Sequence, residues 1–216
     1  MLRTTHCAVP PSPRLLRACA LFGLGVTTRR RAFDAAHRRA ARRILAMEPA
    51  CIAVIAGPSG CGKSSLLRRV RQGLRRDARA PISLSPAPRA HRSLIDLTPG
   101  PLHRALRTLA AAGLADAALL ARTPAELSEG ERFRFRLALA LARRPGWLLI
   151  DEFAASLDSA TAATLCDLLR RHAARTGARI VLATPHPRIA RAFGLRPCAR
   201  TAPAISILRA PRKARP

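Results

Sequence analysis

Ala53-Val54-Ile55-Ala56-Gly57-Pro58-Ser59-Gly60-Cys61-Gly62-Lys63-Ser64-Ser65 joins an apolar run that begins at Cys51 to a helical pattern that continues through Leu66-Leu67-Arg68-Arg69-Val70. It reads G-x-x-x-x-G-K-S between a strand and a helix, the setting a phosphate-binding loop requires. Gly57, Gly60 and Gly62 are expected to let the backbone take positive φ, so that successive N–H groups point inward at an anion. Lys63 would place its ammonium between the β- and γ-phosphates, and Ser64 would offer its hydroxyl to a divalent cation. The stretch therefore implies a bound nucleoside triphosphate.

Outward from this loop, strand and helix patterns alternate. Trp147-Leu148-Leu149-Ile150 and Arg179-Ile180-Val181-Leu182-Ala183 read as short buried strands. Leu102 to Ala112, Ala115 to Ala121, Glu131 to Arg143 and Ser159 to Ala174 read as helices. The alternation predicts an α/β fold with a mainly parallel sheet covered on both faces. Ser93 to Leu97 reads as another short strand, residues 77–92 as a Pro- and Arg-rich loop, and Ile205 to Leu208 as a last edge strand. The organisation expected is a basic extension over 1–50, disordered at first and then helical from Ala32 to Met47. A nucleotide-binding domain over 51–200 and a basic tail over 201–216 follow.

The chain has 216 residues, enough for one domain with a real core, and a formal net charge of +27. Nearly all of that surplus is arginine, which favours contact with nucleic acid or another polyanion through counterion release. Biased composition produces the same surplus, and in the sequence the charge is dispersed. Cys7, Cys19, Cys51, Cys61, Cys166 and Cys198 form no C-x-x-C pair, a pattern of free thiols in a reducing, cytoplasmic setting. No apolar run is long enough to span a membrane.

Four further motifs follow the loop. Asp151-Glu152 ends an apolar strand, where Asp151 can hold the water shell of a cation beside Ser64 and Glu152 can polarise an attacking water. Ser128-Glu129-Gly130-Glu131 opens the long helix; it has the form of a capping box, and a helix N-terminus is also an anion site. Ser156-Leu157-Asp158 forms a turn six residues beyond the acidic pair, and His186 follows the next strand, where an imidazole could reach a γ-phosphate.

The ordered set GPSGCGKSS, LSEGE, LLIDEF, ASLD and ATPHP resembles the ATP-binding-cassette (ABC) ATPase family over roughly residues 51–190, with Walker A, signature, Walker B, D-loop and switch histidine in sequence. Its phrasing is similar to a branch of soluble ABC-type ATPases associated with a predicted acetyltransferase domain. The resemblance implies ATP and Mg²⁺ as ligands and a head-to-tail dimer closed by the nucleotide. Gly57, Pro58, Ser59, Gly60, Cys61, Gly62, Lys63, Ser64 and Ser65 of one copy would cradle the triphosphate, with Ser64 and Asp151 at the metal. Ser128 and Gly130 of the other copy would close over it. Glu152 would be the general base, His186 the γ-phosphate contact and Asp158 the link across the interface.

The chain also departs from the family pattern. Glu129 stands where the signature usually has glycine, and Glu131 where it usually has glutamine. No glutamine follows Gln72, so the Q-loop that senses Mg²⁺ and couples to a membrane subunit is missing or replaced, with Asp96 as a candidate. Tyrosine is absent, which leaves Phe33, another side chain, or nothing to stack on adenine. The segment between P-loop and signature is short, implying a trimmed helical subdomain. These features favour a soluble ATPase with a nucleic-acid or acetyltransferase-like partner. The alternatives are the ATP-binding subunit of a membrane transporter and an ATP-gated nucleic-acid-binding module with little turnover.

Overall fold

In the computed structural model, residues 3–6, 12–27, 30–76, 80–84, 91–193 and 204–210 are described. The chain opens with β1 (Arg3–His6), α1 (Pro13–Leu21) and β2 (Leu24–Thr27), in which the two strands pair in parallel. Ser12 caps α1 by accepting the Leu15 N–H at 3.2 Å. Next come α2 (Arg30–Leu45), β3 (Cys51–Ala56), α3 (Lys63–Arg76) and the two-residue β4 (Ile82–Ser83). Three small helices follow: α4 (Leu94–Leu97), α5 (Leu102–Ala111) and α6 (Ala117–Ala121). The remainder is α7 (Glu129–Ala142), β5 (Trp147–Ile150), α8 (Ser159–Thr176), β6 (Arg179–Thr184), α9 (Pro187–Ala192) and β7 (Ala204–Arg209).

The main sheet has the order β4-β5-β6-β3-β7, all parallel except β7, which runs antiparallel to β3. Its central strands are apolar except at the two ends of β6, Arg179 and Thr184, as suits a sheet covered on both faces. Ile52, Val54, Ala56, Leu148, Ile150, Ile180 and Leu182 point into one core with α5, α7, α8 and α9. The intervening Ala53, Ile55, Leu149, Val181 and Ala183 point into a second core with α2 and α3. Strand alternation thus sorts the helices into two layers. On α3, Leu66, Val70 and Leu74 recur every four residues and are fully buried. Each contributes roughly 1.5–3 kcal/mol.

Several sequence expectations change here. Leu94 to Leu97 is a helix capped by Ser93, whose hydroxyl accepts the Asp96 N–H at 3.3 Å; five residues with one cap signal carry no period that separates strand from helix. The loop assigned to 77–92 contains β4, which pairs with Leu148 and Leu149. The helix expected over Ala32 to Met47 is present, but residue 50 is not a packing boundary. Ala41, Ile44 and Met47 are buried in the second core, and Leu45 lies against Gly73 of α3 so closely that an added Cβ would stand 2.7 Å from its Cδ1. Cys19, Cys51, Cys61 and Cys166 are buried free thiols, while Cys7 and Cys198 lie outside the described residues. Burial pushes the Cys166 thiol up to about 12, so it stays protonated and inert.

Candidate functional site

Three adjacent strands release the chain at one edge of the sheet. Ala56 pairs with Thr184, and Ile150 pairs with Leu182. The turns that follow β3, β5 and β6 therefore leave within two residues of a common level, at the carboxyl ends where ligands bind in open parallel sheets. Those turns carry Gly57 to Lys63, Asp151-Glu152 and Pro185-His186 respectively.

The first turn is a tight one. The Cys61 N–H closes it on the Pro58 carbonyl at 3.3 Å, and the Leu66 N–H bonds the Gly62 carbonyl at 2.9 Å as α3 begins. Left-handed backbone is confined to Gly60 (φ 76°) and Gly62 (φ 94°); the expectation that Gly57 also takes positive φ is corrected. Pro58, Ser59 and Gly60 are exposed, as are Ser64 and Ser65, while Cys61 is buried and anchors the loop. Lys63 bends back over the loop: its Nζ donates to the carbonyls of Gly57 and Pro58, both at 2.8 Å, and lies 4.0 Å from Cys61 Sγ. Its ammonium thus hangs over the loop on neutral acceptors, which phosphate oxygens outbid as charge-assisted partners.

The second turn is strained. Glu152 sits at φ 52° and Ala154 at φ 60°, non-glycine residues in left-handed backbone on either side of Phe153. Three contacts hold the turn. The Glu152 N–H donates to Asp151 Oδ1 at 3.0 Å, the Phe153 N–H donates to the Ala183 carbonyl at 2.8 Å, and the Phe153 side chain is fully buried. Both carboxylates remain exposed. In the third turn the His186 N–H bonds Thr184 Oγ1 at 3.2 Å, and its Nε2 is buried with no hydrogen-bond partner among the described residues. An orphaned ring nitrogen at this edge suits an imidazole that completes its bonding on a ligand.

The donor set fits Mg²⁺ in the way such ions are held in phosphate sites. No group of three or more His, Cys, Asp or Glu able to hold a metal exists among the described residues. One hydroxyl (Ser64) and one carboxylate (Asp151) suit an ion that keeps its waters and takes its remaining oxygens from phosphate.

Ser128 and Gly130 lie elsewhere. Ser128 caps α7 in a complete capping box: its Oγ accepts the Glu131 N–H at 3.3 Å, and Glu131 Oε2 accepts the Ser128 N–H at 2.8 Å. That reciprocal bonding holds the Glu131 carboxyl below the usual carboxylate range. Ser128 and Glu129 are exposed. Gly130 faces the Ser156-Leu157-Asp158 turn, where an added Cβ would meet Leu157 Cδ2 at 3.2 Å. Asp158 caps α8 by accepting the Ala160 and Thr161 N–H groups, both at 2.9 Å; the Thr161 side chain first, and then these backbone donors, lower its pKa. The structure therefore brings Lys63, Ser64, Asp151, Glu152 and His186 to one sheet edge. Ser128, Gly130 and Asp158 form a second group, with α7 and α8 on the face opposite α3.

Asp96 is occupied as a local cap, its Oδ2 accepting the Ser93 hydroxyl at 2.6 Å. The chain that leaves β4 beside β5 does so after Leu84, and residues 85–90 lie outside the described residues, as does the side chain of Phe33. The sequence reading missed several supports. Arg132 donates to the Leu127 carbonyl at 2.8 Å and the Pro124 carbonyl at 3.4 Å, fixing the approach to Ser128. Arg188 reaches the Leu157 carbonyl at 3.5 Å, and Phe133 meets Phe153 edge to face. An arginine four residues after a helix cap was the only available signal for the first.

Residues 118–191 match a family model described as an AAA domain, putative AbiEii toxin, Type IV TA system. The chain is 40% identical over 132 residues to the phosphonates import ATP-binding protein PhnC 2 of Rhodopseudomonas palustris, covering 61% of this chain and 42% of that protein. It is 34% identical over 169 residues to the aliphatic sulfonates import ATP-binding protein SsuB 1 of Xanthomonas axonopodis pv. citri, covering 65% and 66%. The alignments thus span less than two thirds of either relative. Among solved structures, the ATP-binding cassette MJ0796 in a dimeric post-hydrolysis state bound to ADP and Pi matches with a TM-score of 0.52 at 23% identity, over 65% of this chain and 77% of that one. A second dimeric structure of the same cassette gives a TM-score of 0.53. The fold is that of an ABC cassette.

Proposed function

We infer that this chain, a nucleotide-binding domain of the ABC ATPase family, hydrolyses ATP to ADP and phosphate through a nucleotide-closed dimer. The observation that carries the reading is the meeting of the phosphate loop, Asp151-Glu152 and His186 at the carboxyl ends of three adjacent strands. In this reading Lys63 exchanges the Gly57 and Pro58 carbonyls for the β- and γ-phosphate oxygens. Ser64 and Asp151 would hold Mg²⁺, which would supply charge neutralisation at the phosphates. Glu152 takes the proton of a water aligned with the γ-phosphorus. The new P–O bond forms as the bond to the ADP oxygen breaks, and the proton passes on to phosphate. His186 Nε2 fixes a γ-phosphate oxygen.

Ser128 and Gly130 are assigned to the nucleotide of a second copy. Support comes from α7 and α3 lying on opposite faces of the sheet, and from the dimeric state of the similar solved cassettes. Asp158, one residue after the Leu157 that lies against Gly130, would sit at the same interface. The test is size determination with ATP and Mg²⁺ for wild type and Glu152→Gln. The variant is expected to lose turnover and accumulate as a dimer. Wild type with no ATPase activity, or a variant that never dimerises, would remove this reading.

The matched relatives are named as import ATP-binding proteins, and α5 exposes Leu102 and Leu106 one turn apart. These favour a second reading, a cytoplasmic subunit docked on a membrane partner. No helix among the described residues is long and apolar enough to cross a membrane. Recovery of a permease with the tagged protein, lost in Leu102→Asp/Leu106→Asp, would support it. An acetyltransferase-like partner and nucleic acid are the partners proposed for the soluble reading. For the latter, the support is the arginine surplus.

A further inference from the structure

The charge that looks dispersed in the sequence is gathered by the fold. Helices α2 and α3 form one outer layer of the sheet and carry six and five arginines respectively, against the single acid Asp34. On the opposite layer, the 48 residues of α5, α7, α8 and α9 carry ten arginines against Glu129, Glu131 and Asp167, whereas the 30 residues of α2 and α3 carry eleven. Arg38, Arg39, Arg42 and Arg43 of α2 and Arg68 and Arg75 of α3 are all exposed. None of these six makes an ion pair or side-chain hydrogen bond among the described residues. Of the other layer, Arg132, Arg134, Arg170 and Arg188 are spent on carbonyls or on Asp167, while Arg104, Arg107, Arg171 and Arg175, spread over α5 and α8, are exposed.

We propose that the α2–α3 layer is the binding face for duplex nucleic acid, a deepening that rests on the nucleic-acid reading above. Free guanidinium groups on two packed helices match a rigid double row of phosphates, each able to take a bidentate contact. A membrane surface is the poorer match, because the apolar side of α2 (Ala41, Ile44) is already in the core and cannot enter lipid. Among the described residues of this layer no aromatic is exposed, so none of them offers a single strand a stacking platform.

The experiment measures binding of a mixed-sequence DNA duplex, in the full chain, as a function of salt. Two charge-matched variants are compared: Arg38/Arg39/Arg42/Arg43→Gln on α2, and Arg104/Arg107/Arg171/Arg175→Gln on α5 and α8. The α2 variant is expected to lose roughly 2 to 4 from the magnitude of the log–log salt slope and at least about tenfold in affinity, while the control loses little. Arg68/Arg75→Gln, a second variant on the adjoining helix, is expected to lose roughly 1 to 2. Equal losses in the patch and control variants would overturn the assignment of this face while leaving nucleic-acid binding intact. Absence of salt-dependent binding in wild type would overturn both. Binding of phosphatidylserine vesicles with none to duplex would put a membrane in place of nucleic acid.

Discussion

Phe133 of the signature helix and Phe153 of the acidic turn meet edge to face, with ring centroids 5.9 Å apart and planes at 69°. Phe153 is fully buried and lies between two left-handed residues, Glu152 and Ala154. Its ring and its N–H bond to Ala183 are what over-determine that strained backbone. Phe153→Ala is expected to lower the unfolding free energy by about 3–5 kcal/mol, measured by urea denaturation. A loss below about 1 kcal/mol would show that the turn holds itself.

Lys63→Ala removes the ammonium that now rests on Gly57 and Pro58. Loss of a charged partner from a triphosphate site costs at least about 2 kcal/mol, roughly thirtyfold in Kd. Titration with a slowly hydrolysed ATP analogue gives the number. An unchanged Kd would place the nucleotide elsewhere.

The capping box at α7 titrates with a definite sign. Glu131 is held below its ordinary value of 4.5 by the Ser128 N–H and hydroxyl. Its contribution is therefore complete above that pH and disappears as pH falls through the depressed folded value. Ser128→Ala is expected to cost about 1 kcal/mol at neutral pH and to flatten this part of the acid limb. A steeper limb in the variant would contradict the assignment.

His172, buried on α8 near Arg175 and Arg144, behaves in the opposite chemical sense. Burial, followed by those two cations, lowers it from 6.5 to about 4. The unfolded chain takes up a proton first, so stability is full above about pH 6.5 and falls as pH drops toward about 4, below which this contribution is spent. His172→Leu removes that dependence. Thermal unfolding between pH 7 and 4 should show a shallower decline in the variant than in wild type.

Much of this architecture was legible because the decisive signals were local. Apolar runs ending in Gly-Pro-Ser-Gly or Asp-Glu mark strand ends, and strand ends are where the site sits. The helices after Lys63, Ser128 and Asp158 announce themselves through caps and spacing. What the residues could not display was long-range. Ile82–Ser83 is a strand only because Leu148 and Leu149 are there to pair with it. Leu94–Leu97 is helical only within its packing against α6, although Ser93 with Asp96 offered a cap signal. The assembly of α2 with α3 into one arginine-bearing layer depends on Leu45 closing over Gly73. Nor does any feature of Glu152 as a residue type announce a φ of 52°.

β7 runs beside β3 for its whole length, from Ala204 against Ala56 to Arg209 against Cys51. A chain cut before residue 204 would keep every residue of the phosphate loop yet leave β3 with a bare ladder of donors and acceptors. Such a shortened protein would seek that ladder's complement in its neighbours, and insolubility would follow without any change in nucleotide chemistry.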